Sequence, residues 1–227
     1  TAGRTTLNGE GLQHQDGHSP ILASTVPSVR TYDPAFAWEL AVLVRFGIQR
    51  MFVEDHDELF YLMMYNEALP MPARPDHGDL DEGVVRGGYL LEPAAGGGPR
   101  VNLLGSGTIL YEVMQAAAIL REEGYSVAVY SVTSYVELAR DAERAEQVDA
   151  AEPAWLETIF PENGVPTVAA TDYVRALPRM IASWINGPFT ALGTDGFGMS
   201  ERRSDLRAHF KVDAASIADA ARKLTAS

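Results

Sequence analysis

Arg100-Val101-Asn102-Leu103-Leu104-Gly105-Ser106-Gly107-Thr108, with the apolar run beyond it, is the stretch whose reading decides the fold. Residues 100–104 read as a strand that Gly105-Ser106-Gly107 ends. Thr108 then caps a helix running to residue 123, because Ile109, Val113, Ala116, Ala117 and Leu120 share one side at helical spacing. Gly124 stops that helix, as glycine commonly does just past a C-terminus. Residues 126–132 are the next strand. Strand, helix and strand make a βαβ unit, whose crossover is right-handed.

The same alternation extends in both directions. Upstream, residues 84–91 read as a strand, and the glycine-rich segment 93–99 as a turn. Downstream, strands are expected at 167–170 and 189–192, with helices at 173–184 and 214–224, the last capped by Asp213. Strands alternating with helices predict an α/β domain over 85–227: three layers, a mostly parallel sheet with helices on both faces. The proline-rich segment that ends in Asp76, Gly78 and Asp79 reads as a linker over 71–84. Residues 1–70 form a separate first segment. There, residues 1–19 read as loop, 25–32 as a strand and 58–65 as a buried strand. Asp33-Pro34 is expected to open a helix on which Phe36, Leu40, Val44 and Ile48, at spacings of four, mark one face.

Composition sets limits on function. The 227 residues are 46% hydrophobic and 22% charged, a globular composition and not a disordered one. No apolar run reaches the roughly 18 residues of a membrane span. The start at Thr1, without Met or a positive-then-apolar order, reads as internal to a longer polypeptide. The absence of cysteine removes disulfides, thiolate nucleophiles and cysteine zinc sites, and fits a cytoplasmic protein. The net charge of -13 argues against nucleic-acid binding. The basic group Arg202, Arg203, Arg207 and Lys211 is interleaved with Glu201 and Asp205, and reads as a solvated helix face.

Five segments could carry chemistry. Gly9-Glu10-Gly11-Leu12-Gln13-His14-Gln15-Asp16-Gly17-His18-Ser19 places two carboxylates and two imidazoles between three glycines. Loops of this kind border active sites, and histidine transfers protons near neutral pH. The competing readings are a solvated surface loop and a metal site built from His14, Asp16 and His18, against which Gly11 and Gly17 argue. Gly105-Ser106-Gly107 resembles the start of a dinucleotide fingerprint. However, Leu110 stands where its third glycine belongs and the following acidic residue is missing, so a tight turn explains it better. Residues 192–200 could form an anion-binding nest but read better as a turn. Residues 53–58 read as a solvated acidic loop, and the hydroxyls of 131–134 as caps for a following helix.

Three ordered blocks resemble the homodimeric bacterial pyruvate dehydrogenases. They are Gly3-Arg4-Thr5-Thr6-Leu7-Asn8-Gly9-Glu10-Gly11-Leu12-Gln13-His14 with Asp16-Gly17-His18-Ser19, Ser131-Val132-Thr133-Ser134-Tyr135-Val136-Glu137-Leu138-Ala139-Arg140-Asp141, and Leu192-Gly193-Thr194-Asp195-Gly196-Phe197-Gly198 with Ser200, Arg203, Leu206-Arg207, Phe210 and Val212-Asp213. The resemblance implies the end of a thiamine-diphosphate pyrimidine-binding domain over 1–70 and a transketolase-like C-terminal domain over 85–227. It implies thiamine diphosphate and magnesium as cofactors, pyruvate as substrate, transfer of the acetyl unit to the lipoyl domain of dihydrolipoyl acetyltransferase, and an active site between two subunits. It implies that His14 and Glu10 face the reacting side of the cofactor; Asp16 and His18 match the motif but are assigned no catalytic role. The family's Gly-Asp-Gly metal motif has no counterpart here, and its cofactor-activating glutamate is expected upstream of Thr1. No metal or diphosphate ligand is therefore assigned. The alternative is a non-catalytic dimerisation and assembly module.

Overall fold

A computed structural model describes residues 3–76, 78–147, 152–160 and 164–226. Thr1, Ala2 and Ser227 at the ends of the two expected domains, His77 in the expected linker, and residues 148–151 and 161–163 lie outside it. The first segment holds α1 (Ser19–Ser24), β1 (Val29–Tyr32), α2 (Ala37–Ile48) and β2 (Leu59–Leu62). Then come α3 (Leu80–Arg86), β3 (Tyr89–Glu92), β4 (Arg100–Gly105), α4 (Ile109–Glu122), β5 (Ser126–Ser131), α5 (Tyr135–Ala145) and α6 (Trp155–Ile159). The chain closes with β6 (Thr167–Ala170), α7 (Ala176–Arg179), β7 (Phe189–Leu192), α8 (Arg203–Phe210) and α9 (Ala214–Thr225).

The βαβ unit forms as expected, and β4 runs parallel to β5. The sheet order is β3-β5-β4-β6-β7, with β3 antiparallel at one edge and the other pairings parallel. Alternate residues of the central strands point to opposite faces. Val101, Leu103, Val127 and Val129 join a core with α4 and α9, whereas Leu104, Ala128 and Tyr130 join one with α5, Leu156 and Leu177. Those two cores are the interfaces of a three-layer α/β domain. Gly107, at φ +49°, turns β4 into α4, so Gly105-Ser106-Gly107 is a tight turn.

Several local expectations change. The strand expected over 84–91 is helix α3 followed by the short β3. Asp79 accepts from the Glu82 amide, Leu80 and Val84 are buried one helical turn apart, and left-handed Gly87 ends the helix. The last residues of the expected linker are therefore helical. Asp33 does not open α2. Glu39 does, its carboxylate accepting from the Ala35 and Phe36 amides at 2.6 and 2.9 Å. That apolar stripe leaves the buried side after Phe36: Val44 is 43% and Ile48 51% exposed, while Glu39, Val42, Leu43 and Gly47 are buried. Steps of four residues rotate about 40° each around a helix, so the stripe from Phe36 to Ile48 sweeps about 120° off the buried side.

Five further differences share one cause, the contacts each residue finds. Strand β2 is half-exposed, because among the described residues its only strand partner is β1. The helix expected over 173–184 breaks into α7 and a 3₁₀ turn at Ala182–Trp184, with Pro178 lacking the amide a longer helix needs. Thr108 bonds to Thr6 rather than capping α4, whereas Ser134 does cap α5. Arg207 is buried between Glu67 and Glu112, at 2.5 and 3.2 Å, and is not on a solvated face. Glu58, read as solvated, pairs with Arg50 and Arg30, which hold its carboxyl down at about 2.

Candidate active site

The segment that carries Glu10 and His14 crosses the carboxyl ends of β4, β6 and β7. This is the edge where open α/β sheets place ligands. Asp172, two residues beyond β6, is fully buried there and holds the segment. Its Oδ1 accepts from the Thr5 amide and hydroxyl at 2.9 and 2.7 Å, and its Oδ2 from those of Thr6 at 3.2 and 2.8 Å. Because the Thr6 hydroxyl gives its proton to the carboxylate, Thr108, 2.8 Å away, donates to Thr6 in turn. Burial pushes the Asp172 carboxyl up, against the pull of the Thr5 and Thr6 bonds and of Arg207.

Arg4 is buried beside this carboxylate. It donates to the Thr194 carbonyl and reaches His18 Nδ1 at 3.1 Å. Burial lowers its pKa, and Asp16, Asp172 and Asp195 oppose that. Two glycines make room for the packing. A Cβ on Gly3, which sits at φ +86°, would overlap the Asp172 carboxylate, and one on Gly17 would overlap the Arg4 guanidinium. Arg203 Nε closes the segment from α8 by donating to the Thr6 carbonyl at 2.8 Å.

Between these anchors the backbone rises into two turns, closed by the His14 amide on the Gly11 carbonyl (3.2 Å) and the Gln15 amide on the Leu12 carbonyl (3.3 Å). Glu10 and His14 are both exposed on this arch. Among the described residues, neither side chain takes a hydrogen bond or an ion pair, so both are available to a ligand. An imidazole and a carboxylate on one fixed arch can exchange protons with a bound molecule. Asp16 and His18 turn away. Asp16 Oδ1 accepts from the His18 and Ser19 amides, both at 3.0 Å, at the entry to α1, and His18 lies on Arg4. His14, Asp16 and His18 do not converge, and no group of three or more metal-ligating side chains occurs among the described residues.

A second buried acid lies deeper. The Asp33 amide donates to the Thr133 carbonyl at 2.7 Å, and its own carbonyl accepts from Gly107 at 3.0 Å, which seats β1 on the ends of β4 and β5. Oδ1 accepts from the Tyr65 hydroxyl, while Oδ2 has no partner. Burial pushes this carboxyl up to about 7, opposed by Ser106 and Tyr65. Sequence reading missed Arg4, Gln15, Asp33 and Asp172. The signal was the placement of Asp172 just past a strand end, on the edge where ligand sites gather.

Two family profiles match the chain in sequence order. The pyruvate dehydrogenase E1 component middle domain covers residues 1–72, and the transketolase-like TK C-terminal domain covers residues 87–213. The pyruvate dehydrogenase E1 component of Corynebacterium glutamicum is 44% identical over 96% of this chain and 24% of its own length. For those of Pseudomonas aeruginosa and Escherichia coli the values are 45% over 94% and 25%, and 44% over 97% and 26%. The chain thus spans about a quarter of the length of the curated relatives it matches. Among solved structures, transketolase from Leishmania mexicana superposes with a TM-score of 0.73 at 17% identity, over 100% of this chain and 30% of its own. A split-gene transketolase described as an inactive beta4 tetramer gives 0.69 at 17% identity, over 99% of this chain and 65% of its own. The chain belongs to the transketolase-like C-terminal domain family, and as a whole it matches the C-terminal part of bacterial pyruvate dehydrogenase E1 components.

Proposed function

We propose that the chain is the C-terminal part of a thiamine-diphosphate-dependent pyruvate dehydrogenase. In this reading the whole enzyme decarboxylates pyruvate and passes the acetyl unit to the lipoyl group of dihydrolipoyl acetyltransferase, as a cytoplasmic homodimer. The observation that carries the reading is the arch of Glu10 and His14, unpartnered among the described residues and held by the buried Asp172 network. His14 orients the substrate and handles a proton, and Glu10 supports it electrostatically.

The donor set of this chain does not fit a magnesium diphosphate. The sequence has no Gly-Asp-Gly run followed by the metal-binding asparagine, and no group of three or more side chains placed to hold a metal occurs among the described residues. Magnesium and the diphosphate are accordingly left to the rest of the polypeptide, and this chain contributes only to the reacting face.

The second reading is that the chain by itself is a dimerisation and assembly module. The outward apolar side of α2, with Leu40, Val44 and Ile48, supports it, as does the split-gene transketolase half described as an inactive tetramer. The test compares this chain alone with a polypeptide of its relatives' full length. The assay is pyruvate-dependent reduction of an artificial electron acceptor, with thiamine diphosphate and magnesium added or omitted. Cofactor-dependent turnover by the long form only is the expected result. A folded, cofactor-loaded long form that ignores pyruvate would overturn the substrate assignment, and turnover by the short chain would overturn the assembly reading.

A further inference from the structure

Gln15 lies between two residues of the arch, yet its side chain is buried and reaches into the C-terminal domain. Its Nε2 donates to the Met199 carbonyl at 2.7 Å and to the Leu7 carbonyl at 3.1 Å, and its Oε1 accepts from the Met199 amide at 2.9 Å. The amide thus pairs with Met199 as a neighbouring strand would, across 184 positions of sequence. Gly198 allows this approach, since a Cβ there would overlap Gln15 Oε1. The other end of the arch is held by the same loop: the Gly9 amide donates to the Glu201 carbonyl at 3.3 Å, and the Ser200 hydroxyl to the Gly9 carbonyl at 3.4 Å. Loop 193–201 therefore grips the arch at Gly9 and at Gln15, on either side of Glu10 and His14. The grip at Gln15 is the stronger, with three short bonds from a buried amide.

We infer that Gln15 is a positioning residue through which loop 193–201 of the C-terminal domain fixes the placement of Glu10 and His14. The inference rests on the reading of His14 as a working residue. It gives the C-terminal domain a part in the chemistry although none of its side chains need touch the substrate. Displacements of about 1 Å of a catalytic group cost up to about a hundredfold in rate, so a lost grip is expected to show in turnover before it shows in binding.

The test uses the full-length enzyme with Gln15→Met, which keeps the volume and removes all three bonds, and Gly198→Ala, which displaces the same amide from the other side. His14→Ala and the double variant His14→Ala/Gln15→Met complete a cycle. Folding is checked by melting temperature, with assays run well below it. The expected result is that kcat falls about tenfold or more in both Gln15→Met and Gly198→Ala with KM within a fewfold. The double variant is expected to be no slower than His14→Ala alone, because the grip acts on the chemistry through His14, directly and by way of the Glu10 that supports it. If Gln15→Met fails to fold, Gly198→Ala carries the same comparison. Melting temperatures that drop while kcat holds would reduce Gln15 to a structural residue and overturn the inference. Losses that multiply in the double variant would overturn it too. A harmless His14→Ala would instead overturn the functional reading on which the inference stands.

Discussion

Asp172 and Thr5, 167 positions apart, are joined by two hydrogen bonds of 2.9 and 2.7 Å to a single carboxylate oxygen. Thr6 repeats the arrangement on the other oxygen. The head of the first segment is thus welded to the end of β6 through one buried side chain. Asp172→Ala leaves four donors without an acceptor, and the expected loss is about 3 kcal/mol or more, since unsatisfied buried groups cost about 1–3 kcal/mol each and relax only in part. Chemical denaturation measures the loss. Hydrogen exchange at the Thr5 and Thr6 amides shows whether it begins there.

Asp33 gives the fold a pH dependence of known sign. Its carboxyl is raised to about 7 by burial, above its value in the unfolded chain. The associated stability is fully present below the ordinary carboxylate range and is lost as pH rises through about 7. Asp33→Asn removes the ionisation. The melting temperature of the variant relative to the unmodified protein is expected to improve from pH 5 to about pH 7 and to level off above it. A difference that stays constant over that range would show that Asp33 is ionised in the folded protein.

Gly107 stands at φ +49°, where a Cβ would come within 2.5 Å of Asp33 Oδ1 and of the Tyr65 hydroxyl. Gly107→Ala combines backbone strain with displacement of that pair. A loss of about 2–4 kcal/mol is expected from the two mechanisms together, read from denaturant midpoints.

The outward stripe of α2 predicts an assembly defect. In the full-length protein, Val44→Glu is expected to shift the oligomer towards monomer in light scattering, with the helical circular dichroism unchanged. Val44 is 43% exposed, so the substitution leaves the core of the chain alone. An unchanged oligomer would remove this face from the proposed interface.

The central α/β unit was legible because β4, α4 and β5 are long, and their burial agrees with their own periodicity. The region around 80–91 was not. Val84 and Val85 look like strand residues, but the decisive features are the Asp79 cap and the left-handed Gly87, which bracket one helical turn after another. The stripe of α2 did not locate the core, because a helix with apolar residues on both sides does not say which side meets it. At the candidate site, Glu10 and His14 were readable as a local cluster of chemistry. The residues that hold them were not. Asp172 and Met199 meet the arch only through the fold, and Gln15 looks like any polar loop residue until its partners are known.

The most direct test of the account is a single substitution, His14→Ala, in the full-length enzyme with thiamine diphosphate, magnesium and pyruvate supplied. An exposed imidazole that handles a proton predicts a loss of turnover of about a hundredfold or more, with the melting temperature unchanged because the side chain is exposed and takes no hydrogen bond or ion pair among the described residues. Turnover within a fewfold of the unmodified enzyme would contradict it, leaving the family intact and His14 a solvated loop residue.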